Sequence, residues 1–204
     1  AAEDGGIVTD TLTATDVDAD DQATLEFSIL TPVAGLTLNQ STGEWNFDPT
    51  NAAYQDLKET ETRELTIDYS VTDTQSAFDT GSFKITVTGV NDDPVATFTT
   101  NQSVVEDTAV FNFQLTSTDS DAGDTAAYAL LGGAVAGLTV QADGAWSFDP
   151  SDAAYQQIAQ NQTQDVTITY SVTDSEAAVD NTGSFVITVI GTNDEPEATF
   201  AQNI

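Results

Sequence analysis

Asn91-Asp92-Asp93-Pro94 and, 102 residues later, Asn193-Asp194-Glu195-Pro196 place an amide and two carboxylates directly before a proline. Other acids recur at nearly the same interval. Asp16-Val17-Asp18 returns as Asp119-Ser120-Asp121, Asp73 returns as Asp174 after a shared Tyr-Ser-Val-Thr, and Glu3 returns as Glu106. These side chains offer hard oxygen donors and no nitrogen or sulfur base. Flexible loops rich in such oxygens suit Ca²⁺ better than Mg²⁺ or a transition metal. Two carboxylates about 5 Å apart repel by roughly 3 kcal/mol at an effective dielectric near 20, so half a dozen of them need a counterion.

Composition narrows the chemistry further. The 204 residues hold 34 acids against three bases, Lys58, Arg63 and Lys84, for a formal net charge of −31. With only three Lys or Arg to neutralise phosphates, nucleic acid is not a partner to expect, and neither is an anionic membrane surface. The chain has no His, Cys or Met, which removes zinc, haem and iron–sulfur sites built on those residues and the Ser-His-Asp and Cys-His nucleophiles. Apolar residues reach 39%, enough for real cores and unlike a disordered acidic tail. No run is long enough to span a bilayer, and no signal peptide is visible. The start at Ala1 and the end in "EATFAQNI" read as the limits of a piece taken from something longer.

The acids sit on a duplicated scaffold. "WNFDPTNAAYQ" at 45–55 matches "WSFDPSDAAYQ" at 146–156, and "GSFKITVTGVNDDP" at 81–94 matches "GSFVITVIGTNDEP" at 183–196. The offset stays between 101 and 103, which predicts two domains, 1–94 and 95–204. The first holds 19 acids and three bases and the second 15 acids and no base, so acidity belongs to the unit. Within each copy, apolar residues alternate: Leu25-Phe27-Ile29, Leu65-Ile67-Tyr69-Val71 and Phe83-Ile85-Val87, then Phe111-Phe113-Leu115, Val166-Ile168-Tyr170-Val172 and Phe185-Ile187-Val189. Short Thr-rich, β-branched runs separated by Gly, Asp and Asn predict about seven strands per copy. The expected fold is all-β, with two tandem immunoglobulin-like Greek-key β-sandwiches of antiparallel sheets. Asp48 and Asp149 are expected to cap a short helical turn, with Tyr54 packed beneath it and Trp45 and Trp146 in the cores. Asp10 aligns with Phe113, read as an inward position, so the first strand of copy one either begins near Leu12 or has an exposed end.

Strand direction sorts the acids. Alternating strands put Glu3, Asn91, Asp92 and Asp93 at one pole of copy one, and Asp16, Asp18, Asp21 and Asp73 at the other. In copy two, Glu106, Asn193, Asp194 and Glu195 share one pole, while Asp119, Asp121, Asp124 and Asp174 share the opposite one. End-to-end stacking then predicts that Glu3, Asn91, Asp92 and Asp93 meet Asp119, Asp121 and Asp174 around calcium. On this reading the Asn-acid-acid-Pro segment is a metal-locked hinge, and Pro94 and Pro196 stiffen its exit.

"VVEDTAVFNFQLTSTDSDAGD" followed by "YSVTD" and "NDEP" resembles the cadherin pattern of a Glu after the first strand, Asp-x-Asp after the second, an Asp after the sixth and an Asn-Asp-x-Pro linker. The run "GLTVQADGAWSFDP…YSVTD…GSFVITVIGTND" is more similar still to the VCBS and cadherin-like tandem repeats of giant bacterial RTX-type surface adhesins, over nearly all of both copies. That resemblance implies an extracellular, cell-surface protein exported by a type I system, whose calcium-stiffened repeats hold an adhesive tip away from the cell in biofilms. One departure stands out. Cadherins carry an Asp-Arg-Glu ligand before the sixth strand; copy one offers only Glu59 or Glu61, and copy two reads "IAQNQTQD".

Simpler readings compete at several of these positions. "DVDADD" and "DSDAGD" begin like an EF-hand loop, but the sixth position is Asp21 or Asp124 rather than Gly, and the twelfth is Phe27 or Leu130 rather than Glu. Asp4, Asp107, Glu26 and Glu44 read as surface charge. Glycosidase chemistry needs one acid with a raised pKa in an apolar cleft, and duplicated acids in polar loops do not provide it. The expectation is therefore not an enzyme but a monomeric pair of calcium-binding spacer repeats, whose partners are calcium ions and neighbouring repeats, without direct membrane insertion. The alternative is a glycan- or protein-binding adhesive domain of the same kind of adhesin.

Overall fold

The computed structural model describes residues 1–18, 20–196 and 198. The fold is all-β, without helices among the described residues. The chain divides into two compact units. Unit 1 is Ala1–Asp92 together with Ser120–Gly123; unit 2 is Asp93–Asp119 with Asp124 onward.

Unit 1 contains β1 (Val8–Thr11), β2 (Glu26–Ile29), β3 (Leu36–Leu38), β4 (Glu44–Phe47), β5 (Thr62–Thr72) and β6 (Phe78–Thr88). They form two three-stranded antiparallel sheets, in the orders β1-β4-β3 and β2-β5-β6. Ala2 adds a single parallel bridge to Thr88. The core takes Trp45 and Phe47 from one sheet and Phe27, Ile67, Ile85 and Val87 from the other, with Leu12, Tyr54 and Leu57 closing its edges. Alternation thus buries one face of each sheet, as its period requires.

Unit 2 contains β7 (Val95–Ala96), β8 (Gln102–Val105), β9 (Phe111–Gln114), β10 (Ser117–Thr118), β11 (Ala127–Leu130), β12 (Leu138–Val140), β13 (Ala145–Phe148), β14 (Thr163–Thr173) and β15 (Val179–Ile190). Its sheets run β12-β13-β9 and β11-β14-β15-β8, with the short pair β10-β7 beside them. The core centres on Trp146, Phe148, Tyr155, Ile168, Tyr170, Phe185 and Ile187. In both units a tyrosine ring lies across the neighbouring strand. A Cβ on Gly81 would stand 2.7 Å from the Tyr69 ring, and one on Gly183 2.5 Å from that of Tyr170. Only glycine leaves room there.

Three details differ from expectation. β8 runs parallel to β15, so the sheets are not wholly antiparallel. The segments after Asp48 and Asp149 are turns rather than helical: Asp48 Oδ1 accepts Thr50 N–H and Asp149 Oδ1 accepts Ser151 N–H, each at 3.0 Å, which is the side-chain turn that aspartate favours over helix. Tyr54 does pack below, its hydroxyl donating to the Ala34 carbonyl at 2.7 Å. Phe113 is 44% exposed, although its ring lies 5.3 Å from that of Trp146 in a stacked arrangement. At its counterpart, β1 begins at Val8 and Asp10 is exposed opposite Trp45, the second of the two alternatives expected there.

Candidate metal centre

Among the described residues, four groups of three carboxylates gather within single units, each group with one oxygen per residue inside 4.8 Å of the others. Unit 1 holds Glu3–Asp92–Asp121 and Asp16–Asp18–Asp21; unit 2 holds Glu106–Asp107–Asp194 and Asp124–Asp174–Glu176.

The first group is the most enclosed. Glu3 is 0% exposed, Asp121 3%, and Asp92 is half-buried. Backbone bonds fix it: Glu3 N–H donates to the Thr88 carbonyl at 3.0 Å, and Val90 N–H donates to Glu3 Oε1 at 2.8 Å. Asp92 N–H donates to Asp121 Oδ2 at 3.0 Å. Glu3 Oε2 is buried with no hydrogen-bond partner among the described residues. Burial pushes the Glu3 carboxyl above its ordinary value, the Val90 N–H pulls it back, and the charges of Asp92, Asp4 and Asp121 push it up again.

Unit 2 repeats the arrangement. Glu106 is 1% exposed, its N–H donates to the Ile190 carbonyl at 2.9 Å, and its Oε1 accepts Thr192 N–H at 2.6 Å. Its Oε2 is likewise buried without a hydrogen-bond partner among the described residues. Asp107, read from sequence as surface charge, belongs to this group and accepts the Thr192 hydroxyl at 3.2 Å.

The remaining acids are held by loops. Asp18 N–H donates to Asp16 Oδ1 at 2.9 Å, and Asp21, 5% exposed, accepts the Thr74 hydroxyl at 2.6 Å. Asp73 and Asp174 sit at the β5–β6 and β14–β15 hairpin turns, where each Oδ1 accepts the N–H four residues on, Ala77 or Ala178, at 2.8 Å. Asp174 also joins Asp124 and Glu176, both of which meet the Ser175 hydroxyl, whereas Asp73 joins no carboxylate group among the described residues. Asn91 is half-buried, Asp119 is half-buried after β10, and Asp93 and Asn193 are exposed. Sequence reading passed over Glu176 because copy one has Gln75 at that position. Asp107 could have been found by its adjacency to Glu106.

The three basic side chains each have a partner among the described residues. Arg63 pairs with Asp56 at 3.0 Å, Lys84 pairs with Glu64 at 2.6 Å, and Lys58 Nζ donates to the Gly123 carbonyl at 3.2 Å. Unit 2 contains no Lys or Arg. The donors around Glu3 are oxygens only, one of them buried and unsatisfied, and they fit a hard divalent cation.

The fold is an immunoglobulin-like, cadherin-like β-sandwich repeat. Residues 91–190 match the bacterial Ig domain family. Among solved structures, the chain is similar to mouse cadherin-23 EC22-24, with 17% identity and a TM-score of 0.54 over 94% of this chain and 61% of that one. It is similar to protocadherin gamma C5 EC1-3, with 15% identity and a TM-score of 0.55 over 93% and 64%, respectively. Protocadherin gamma B7 cadherin domains 1-4 give 15% identity and a TM-score of 0.53 over 95% and 49%. The chain thus spans between 49% and 64% of the length of these structures. No curated protein matches it.

Proposed function

We propose that the chain is a pair of calcium-binding spacer repeats from a bacterial cell-surface adhesin of the VCBS and RTX type, working outside the cell and in biofilms. Calcium held by Glu3, Asp92 and Asp121, with Asn91 and Asp93 beside them, pins residues on both sides of the Asn91–Pro94 connector and stiffens the tandem. Asp119 and Asp174 complete the ligand supply from the second copy. Glu106, Asn193 and Asp194 prepare the same bond to a following repeat, and Asp16, Asp18 and Asp73 to a preceding one. Neighbouring repeats and calcium are the partners, and no reaction is catalysed.

The observation that carries this reading is Glu3: a fully buried carboxylate with one oxygen lacking a hydrogen-bond partner among the described residues, grouped with two further carboxylates. Such a group is costly in low dielectric unless a cation offsets it. The match to the bacterial Ig domain family and the likeness to cadherin structures support it.

Calorimetric titration with CaCl₂ is expected to give saturable binding in the range of about 10⁻⁴–10⁻³ M typical of extracellular modules. X-ray scattering in calcium is expected to show a longer, narrower particle, and chelator to reverse the change. Unchanged scattering at saturating calcium removes the stiffening role; absence of saturable heat removes the metal.

A further inference from the structure

One short motif recurs without following the duplication. Asn39-Gln40-Ser41, Asn101-Gln102-Ser103 and Asn161-Gln162-Thr163 each place a hydroxyl two residues after an asparagine, with no proline between. That is the spacing of an N-glycosylation acceptor. The repeat does not account for it, because the counterpart of Asn39 is Gln141 and that of Asn161 is Thr60. All three asparagines are exposed.

Asn39 opens the β3–β4 loop, which is one residue longer than the β12–β13 loop of unit 2. Asn39 N–H donates to the Glu44 carbonyl at 2.8 Å, and Gly43 N–H donates to the Asn39 carbonyl at 2.9 Å. Phe27 N–H donates to the Gln40 carbonyl at 2.8 Å, so the loop is held from both sides. Asn39 Oδ1 accepts the Ser41 hydroxyl at 3.0 Å, Ser41 N–H at 3.2 Å and Thr42 N–H at 3.4 Å. Its Nδ2 makes no hydrogen bond among the described residues, and Asn39, Gln40 and Ser41 are all exposed. The other two motifs lack this geometry. Asn101 Oδ1 accepts Val186 N–H at 2.8 Å, and Ser103 lies within β8. Asn161 takes a left-handed φ of 62° and donates its N–H to the Gly191 carbonyl at 3.0 Å. Neither accepts a bond from the hydroxyl of its own motif among the described residues. Asn51 is the converse case: its Oδ1 accepts Ala53 N–H at 3.1 Å in the same kind of turn, but Ala53 has no hydroxyl.

An amide nitrogen is a poor nucleophile because resonance shares its lone pair with the carbonyl. Donors on Oδ1 favour the imidate form, in which negative charge sits on oxygen and Nδ2 has given up a proton and regained a lone pair. We propose that Asn39 is the acceptor of an N-linked glycan, transferred from an activated sugar diphosphate that is nucleotide- or lipid-linked. In the transfer, a bond forms between Nδ2 and the sugar C1 as the bond from C1 to the phosphate oxygen breaks. The diphosphate leaves with that electron pair, the Nδ2 proton passes to a base of the transferase, and nothing is oxidised or reduced. The added sugar stands at the end of β3, the last strand of its sheet. There a bulky, hydrated group hinders pairing of that edge with another chain. None of the grouped carboxylates takes part, so the assignment stands apart from the calcium reading.

Cleavage after glutamate releases residues 27–44, with Asn39 as their sole asparagine. Mass spectrometry of this peptide, from protein isolated from the organism that makes it, is expected to show added sugar that fragmentation places on Asn39. Growth by single sugars assigns the nucleotide-linked donor, and one preassembled block assigns the lipid-linked donor. With UDP-glucose and a soluble sequon-specific N-glycosyltransferase as probes, the folded chain is expected to react at Asn39 before Asn101 or Asn161 and to leave Asn51 bare. Ser41→Thr is expected to keep the modification, Asn39→Gln to abolish it, and Ser41→Ala to slow it about tenfold or more. A bare Asn39 in the native protein overturns the proposal, as does sugar that survives Asn39→Gln on a Ser or Thr hydroxyl. Reaction at Asn101 or Asn161 ahead of Asn39, or an unchanged rate in Ser41→Ala, overturns the part assigned to the turn.

Discussion

Glu3 spends one oxygen on Val90 N–H and leaves the other in a buried, negatively charged enclosure. Its raised pKa means that the fold favours the protonated form, and ionisation there costs stability in the absence of a cation. Glu3→Gln imitates the protonated side chain with little change of volume. In chelator the variant is expected to melt at the same temperature as the parent or a few degrees higher, about 1–4 °C, by relief of desolvation and like-charge repulsion. In calcium the order reverses, because Gln supplies a poorer ligand and the calcium-induced rise falls by half or more. Differential scanning calorimetry with and without calcium reads both signs. A variant less stable than the parent in chelator and unaltered in its calcium response would make Glu3 a structural residue only. Asp121→Asn and Glu106→Gln separate the two units in the same measurement.

Between elements, Asp180 ties β15 to the segment containing Ala96. Hydrogen bonds from Thr182 chiefly, and then from Ala96 N–H, hold its carboxyl below the usual carboxylate range. A lowered pKa contributes stability that is present above the unfolded value near 3.9 and lost as pH falls through the folded value. Asp180→Ala is therefore expected to cost about 1–2 kcal/mol at pH 7 and progressively less below about pH 4. Asp79→Ala, at the exposed counterpart, is expected to stay within about 0.5 kcal/mol. Urea melts at the two pH values check the pair, and equal costs at both positions would mean that the Ala96 bond adds nothing at Asp180. The same edge marks where sequence reading stopped. Alternation revealed β5, β6, β14 and β15 because inward and exposed residues take turns along much of their 11 or 12 residues. It could not reveal β7 and β10, two residues each, since two residues carry no period. Nor could it give the parallel pairing of β8, which depends on chain path. The candidate ligands were legible because they recur at fixed offsets. Their grouping was legible only in part: Asp73 and Asp174 read alike in sequence, but Glu176 brings a carboxylate to the second where Gln75 offers the first an amide.

At the scale of the whole chain, a net charge of −31 opposes every compact state, and salt relieves that opposition in two distinguishable ways. Monovalent salt screens: the Debye length shrinks to about 3 Å at 1 M, and long-range repulsion fades gradually without saturation. Calcium at specific sites acts by mass action, adding up to about 1.4 kcal/mol per site at millimolar concentration if Kd is near 10⁻⁴ M. The melting temperature in chelator is therefore expected to climb slowly with NaCl, while CaCl₂ at constant ionic strength gives a larger rise that levels off within the millimolar range. Mg²⁺ is expected to reproduce little of it, because buried carboxylates on irregular loops suit a large, flexible coordination shell better than a strict octahedron. Thermal melts along the three titrations decide between the mechanisms. If NaCl at matched ionic strength accounted for the entire calcium effect, the carboxylate groups would be sources of repulsion and nothing more. A calcium curve that levels off while the NaCl curve still climbs can come only from bound ions, and its reduction in Glu3→Gln assigns a share of them to the Glu3 group.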